Sequence, residues 1–210
     1  MAAPQPKPEN VLFGDWGAFF FNYGEKDELP VGATQGGGSF KYEPEFKEIE
    51  YDGSPGDTMG MKRITKSKTQ ISFKTLEFLD KEKIKNFIAG LKVSEETVTK
   101  DGKTIKYDVI EATERLTKDS YLKNVAWVGE TLGGDIVEII VYNALSDGSL
   151  ELGFENESEV VPEVTFTGHR DPENIRKVPW KKRILTATDR INTSRLKSRE
   201  NPCSFYFKEE

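Results

Sequence analysis

From Phe40 to Lys47 apolar and charged residues alternate one for one, with Phe40, Tyr42, Pro44 and Phe46 set against Lys41, Glu43, Glu45 and Lys47. Only a strand gives that period a single buried face, because successive side chains leave a pleated backbone on opposite sides. The period returns at Thr69, Ile71, Phe73 and Thr75, and turn pairs such as Asp52-Gly53, Asp101-Gly102 and Asp147-Gly148 punctuate the chain. The expected class is mainly β: a β-sandwich or barrel-like core of two packed sheets, one flanking α-helix, a long projecting loop, and extended N- and C-terminal arms.

Several elements follow from local pattern. Val11 to Tyr23, dense in aromatics and broken by Gly14 and Gly17, reads as a first strand. Gly36-Gly37-Gly38 reads as a flexible loop before the next one. Beyond Phe46 the apolar phase slips to Ile49 and Tyr51, the mark of a β-bulge, and Pro44 places this strand at an edge because proline cannot donate to a ladder. Asp52 to about Lys68 reads as a polar projecting loop. Ile84, Phe87, Ile88 and Leu91 have helical spacing, with Asp80 as cap, Leu79 as a staple on Ile84 and Gly90 as the stop. After a hairpin about Asp101-Gly102, strands are expected at Leu122 to Val128, Ile136 to Ala144, Ser149 to Phe154 and Glu159 to Thr167. Ile136 to Tyr142 is almost unbroken in apolar residues, so it belongs at the centre of the sandwich.

The charge is divided between two regions. Residues 1–169 carry 19 Lys/Arg against 30 Asp/Glu, whereas residues 170–210 carry 11 against 6. A Pro-rich arm over 1–10, a body over 11–169 and a basic arm over 170–210 are therefore expected. The basic arm's apolar residues, Trp180 among them, are scattered, so it is expected to dock on the acidic body of another copy. The single cysteine, Cys203, allows no internal disulfide, and the N-terminus lacks an apolar signal core. No run approaches the roughly 18 apolar residues of a membrane helix. Synthesis in the cytoplasm and no membrane partner are the expectations.

Catalytic and cofactor chemistry finds little footing, and neither an enzyme nor a cofactor site is expected. His169 is the only histidine, which leaves no paired Cys/His zinc spacing. Gly102-Lys103-Thr104 lacks the upstream glycine of a phosphate-binding loop and sits in a hairpin. Asp52 with Asp57, and Glu155, Glu157 and Glu159, lack the register of a calcium loop. Lys181, Lys182, Arg183 and the stretch from Arg195 to Arg199 offer a nucleic-acid reading, weakened because Trp180 is the one aromatic near the first run.

Three stretches carry a family likeness: Leu29-Pro-Val-Gly-Ala-Thr-Gln-Gly-Gly-Gly-Ser-Phe-Lys-Tyr-Glu-Pro-Glu, then Ile49-Glu-Tyr-Asp-Gly53 with its polar loop and the returning strand to Leu79, then Glu159-Val-Val-Pro-Glu-Val-Thr-Phe-Thr-Gly168. In that order, across residues 11 to 169, the chain resembles the major tail, or tail tube, proteins of long-tailed bacteriophages and phage-like particles. The resemblance implies six copies in a ring and rings stacked into a hollow virion tail that conducts double-stranded DNA. It also implies partners such as tape measure and tail terminator proteins. Asp52, Asp57, Met59, Met61 and Arg63 of the loop, with Trp180, Lys181, Lys182, Arg183 and Arg195 of the arm, are the expected subunit contacts. Glu43, Glu45, Glu48, Glu50, Glu111 and Glu114 are the candidates for an acidic channel wall, along which phosphates slide instead of adhering. A β-sandwich decoration or adhesion module, and a nucleic-acid-binding protein using the arm, are the alternatives.

Overall fold

A computed structural model describes residues 5–53, 56–100, 103–113, 115–148, 151–154 and 158–185. The chain is mainly β, with ten strands and one helix among these residues: β1 Leu12–Phe21, β2 Leu29–Pro30, β3 Thr34–Glu48, β4 Lys62–Thr75, α1 Lys81–Phe87, β5 Leu91–Lys100, β6 Lys103–Ala112, β7 Leu122–Thr131, β8 Ile136–Ser146, β9 Glu163–Gly168 and β10 Trp180–Leu185. Two sheets result. The larger runs β2-β1-β7-β8-β9-β4-β3 with β10 also on β8, and the smaller is the β5-β6 hairpin.

The large sheet folds back on itself. Between β1 and β4 lie β7, β8 and β9, so a flat sheet would hold these strands about 19 Å apart. Yet the Phe19 and Phe73 rings lie 4.5 Å apart, and Phe21 meets Phe166 of β9 edge to face at 5.7 Å. Strand β8 is where the layers part. Its residues Ile136 to Val141 pair with β10, whereas Ala144 to Ser146 pair with β9, and between them Asn143 takes a positive φ of 48°. Strands that change layers at such a bend are how a sandwich closes its corners. The run Ile136 to Tyr142 thus lies at the centre, as expected. Phe21, Val31, Ile71, Phe73, Phe87, Val125, Val141 and Phe166 fill the interior and are almost wholly buried.

Several local expectations are corrected. Gly36 to Gly38 belongs to β3: Gly36 and Gly37 take positive φ, and a side chain on Gly38 would strike Phe19 and the Ser72 carbonyl. Glycine is needed there so that β3 can cross close over β1. The expected loop from Asp52 to Lys68 is shorter, since β4 already starts at Lys62 and makes one long hairpin with β3. A bulge is present, but in the partner strand and not in β3, whose residues pair one for one from Gly38 to Glu48. Glu45 faces Lys66 while Phe46 faces Ile64, which leaves Thr65 of β4 as the extra residue of a bulge. Pro44 does sit on an edge strand.

Asp80 caps α1 through the Glu82 amide, but the helix ends at Phe87 and Leu91 already belongs to β5. Leu79 is 86% exposed and staples nothing. Of the expected strand from Ser149 to Phe154, residues 151–154 are irregular. The strand expected from Glu159 begins at Glu163.

The expectation that the basic C-terminal segment finds no partner in its own body is corrected for residues 180–185. Strand β10 pairs with β8 over six residues, and the Trp180 ring packs against Phe40 and Tyr42 of β3 at 5.1 and 5.4 Å. A single large aromatic at the strand's start docks a segment that has no periodic face. No helix of the described residues is long and apolar enough to cross a membrane.

Candidate self-association surface

The inner face of the β3-β4 hairpin continues past the core it serves. Across the ladder that face reads Phe40 with Ile71, Tyr42 with Thr69, Pro44 with Ser67, Phe46 with Ile64, and Glu48 with Lys62. Ile71 and Thr69 are buried, and Trp180 covers Phe40 and Tyr42. Among the described residues nothing comparable covers the next apolar pair: Phe46 is 59% exposed and Ile64 is 53% exposed. Thr65 donates its hydroxyl to the Glu45 carbonyl at 3.2 Å, so the bulge has its own hydrogen bond at the point where the hairpin leaves the body.

Beyond the bulge the loop is ordered by few contacts. The Ile49 amide donates to the Met61 carbonyl at 2.8 Å, and the Met61 amide donates to the Thr58 carbonyl at 3.1 Å. Lys62 bonds Asp57 at 2.6 Å. Glu48 and Asp57 share a hydrogen bond that pushes the Glu48 carboxyl up and holds Asp57 down, with Lys62 adding to the lowering of Asp57. Around this polar clasp the apolar side chains of Ile49, Tyr51 and Met61 face water, and Met59 is fully exposed. Isolated exposed apolar residues are ordinary, but several together on one projecting hairpin make it a candidate interaction surface.

The expected interface residues fall into two places. Asp52, Asp57, Met59, Met61 and Arg63 lie together at the hairpin's far end. Trp180 is instead turned into the protein's own sandwich, and its neighbours Lys181, Lys182 and Arg183 form exposed β10, where Arg183 pairs with Glu138. Arg195 lies outside the described residues.

The candidate channel carboxylates do not share one surface. Glu43 and Glu45 point outward from β3, where Glu43 faces Lys68 and bonds Lys41 at 2.7 Å, and Glu45 faces Lys66. Glu48 belongs to the clasp. Glu50 is exposed in the loop and Glu111 is exposed on β6, while Glu114 lies outside the described residues. The lysines of β4 were not weighed against these acids in the sequence. Their alternation along Lys62, Lys66 and Lys68 was the signal that could have revealed the charge balance.

Among the described residues His169 is held by the β8 bend. Its Nδ1 lies 3.2 Å from the Asn143 carbonyl and its ring meets Tyr121 edge on at 5.1 Å, which places it as a fastener at the β8 bend. Among the described residues no three His, Cys, Asp or Glu side chains cluster as a metal site would need. Lys83, which the sequence reading passed over, is a nearly buried cation held 2.5 Å from Glu77 and 3.4 Å from Asp80. No protein-family model and no curated protein matches the chain.

Proposed function

We propose that this protein is a structural subunit that assembles with copies of itself into rings, and that the rings stack as the tail tube of a bacteriophage or phage-like particle. One observation carries the reading: the apolar face of β3-β4 extends beyond its own core to exposed Phe46 and Ile64, and the hairpin's end carries further exposed apolar side chains at Ile49, Tyr51, Met59 and Met61. A monomer gains nothing from holding that surface in water, whereas a neighbour that covers it recovers about 25 cal/mol for each Å2 of apolar area. The free edges support the same reading. β3 ends one side of the large sheet over 15 residues, and such an edge is stable in solution when another strand or chain covers it.

Under this proposal the protein acts in the virion, with tape measure and tail terminator proteins as partners and DNA passing through the tube. The alternating charges of β3 and β4 suit a wall on which phosphate finds no continuous cationic stripe. The test is sedimentation and negative-stain electron microscopy of the purified chain over a wide concentration range. Wild-type protein should form rings or tubes, and Phe46→Asp with Ile64→Asp should remain monomeric with a cooperative melt. A wild-type chain that stays monomeric at every concentration refutes the proposal.

A further inference from the structure

The large sheet holds an apolar groove where β3 passes over β1. Its walls are Leu12, Phe19, Phe40, Ile71, Trp127 and Ile139, and its volume is about 290 Å3. Glycines create it. Gly14 has open space on its side-chain side, Gly38 lies against Phe19, and the Trp127 indole lies across Gly17, where any side chain would strike it. The β1-β7 ladder is irregular here, with Leu12 facing Thr131 and Gly17 facing Gly129, so Phe13 to Trp16 bow out of register beside the groove.

The other end of β3 carries a surface of matching character. Lys47 faces Arg63 across the ladder, and one step further on that face Ile49 bonds Met61. Like charges directly opposed in a ladder destabilise it, and among the described residues neither Lys47 nor Arg63 has a carboxylate partner. Asp15 follows Gly14 of the groove wall, is exposed and has no ion-pair partner among the described residues, while Lys74 stands opposite Glu163. An unpaired acid beside an apolar groove thus complements an apolar pair flanked by two unpaired cations.

The two surfaces cannot meet within one chain. Gly38 and Ile49 are separated by a strand that is paired throughout, and at about 3.4 Å per residue they stand roughly 37 Å apart. We propose that the groove between β1 and β3 receives the Ile49-Met61 face of the β3-β4 hairpin from a second copy, with Lys47 and Arg63 of that copy meeting Asp15. Such a contact is head to tail, so it propagates without closing on two subunits. It rests on the self-assembly reading above and names the seat of the hairpin. The Phe46-Ile64 face stays free for a different neighbour.

Gly14→Trp tests the groove, because Gly14 lines it, a Cβ there meets nothing within 4 Å, and the added ring puts bulk at the seat. The variant should melt like wild type, yet need about tenfold or more protein to polymerise. Leu12→Lys, which sets a cation against Lys47 and Arg63, should act in the same direction. In a Cys203→Ser background, chains bearing Gly14→Cys mixed with chains bearing Met61→Cys should form a dimeric disulfide under mild oxidation. Wild-type polymerisation with an unaffected Gly14→Trp variant and no cross-link overturns the groove assignment alone. Failure of wild type to polymerise overturns both it and the proposed function. Preferential cross-linking of Gly14→Cys to Phe205→Cys gives the groove to the C-terminal segment and also overturns the assignment.

Discussion

The two long hairpins differ in what holds them. Strands β3 and β4 grow from the folded sheet: β4 is clasped by β9 from Gln70 to Lys74, and Ile71, Phe73 and Thr75 anchor its root in the interior. Strands β5 and β6 pair only with each other from Leu91–Ala112 to Lys100–Lys103. Their attachment is Leu91 and Val93 on the core and Lys81 of α1, which bonds Asp108 at 2.5 Å and Glu95 at 3.3 Å. An isolated two-stranded hairpin is marginal in water. The first hairpin is therefore a lever that can present its far end at a fixed place, while the second follows the helix that carries it.

Phe73→Ala should give the largest effect and so break the comparison at its root. Phe73 is buried against Phe19, Phe21, Phe87 and Phe166, and truncation of such a ring costs about 3–5 kcal/mol. That is a large part of the stability of a domain this size. Val98→Ala, on the exposed far half of β5, should stay within about 0.5 kcal/mol. Chemical denaturation of the two variants checks this. A Val98→Ala cost near that of Phe73→Ala would mean that the small sheet has a core of its own.

The first hairpin was more legible in sequence than the second, for physical reasons. A strand with one buried face writes its period into the chain, so Phe40 to Phe46 and Thr69 to Thr75 announced both partners, while the slip to Ile49 pointed to a bulge in β3 that the structure puts at Thr65 of β4. In β5 and β6 both faces are largely wet, so Lys92 to Thr99 and Thr104 to Glu111 carry weak alternation, and only the end of the hairpin next to Asp101-Gly102 is legible. Gly36 to Gly38 misled because a close crossing over β1 calls for the same residues as a loose loop. Trp180 misled because one anchoring ring leaves no repeat to detect. The apolar loop was legible by composition, but its exposure depends on how far the hairpin outruns the core, which no local pattern records.

A smaller effect is expected at the joint between the hairpins. Glu77 accepts the Ala33 amide at the entrance to β3 and also bonds Lys83 of α1, so one carboxylate ties the helix to the root of the lever. Lys83→Met keeps the apolar stem but removes the ammonium. The loss should be about 1 kcal/mol, below the cost of breaking a fully buried pair, because Glu77 remains half in water. Hydrogen exchange should quicken in β5-β6 while the Gln70 to Lys74 amides stay protected. Equal quickening in both hairpins would show that the joint supports the whole sheet.

The smallest effect is the pH dependence of that joint, and its sign is fixed by the groups involved. Lys83 and the Ala33 amide hold the Glu77 carboxyl below its ordinary value, and the Glu82 amide, helped by Lys83, does the same for Asp80. Burial pulls the Lys83 ammonium down, but Glu77 and Asp80 outweigh it and hold it above its ordinary value. As pH falls below about 4, the unfolded chain takes up protons before these folded carboxylates do, so their contribution is lost as pH drops through the lowered folded values. The Lys83 contribution is complete below about pH 10 and disappears as pH rises through its raised folded value. Protection of the β5-β6 amides, taken relative to their intrinsic exchange rate at each pH, should therefore fall at both extremes before that of the β4 root. In Lys83→Met the acid-side dependence should flatten, because Glu77 loses the larger cause of its lowering. Acid melts of wild type and variant that run parallel from pH 7 to about pH 3 would assign the acid response to other carboxylates and detach the Glu77-Lys83 joint from it.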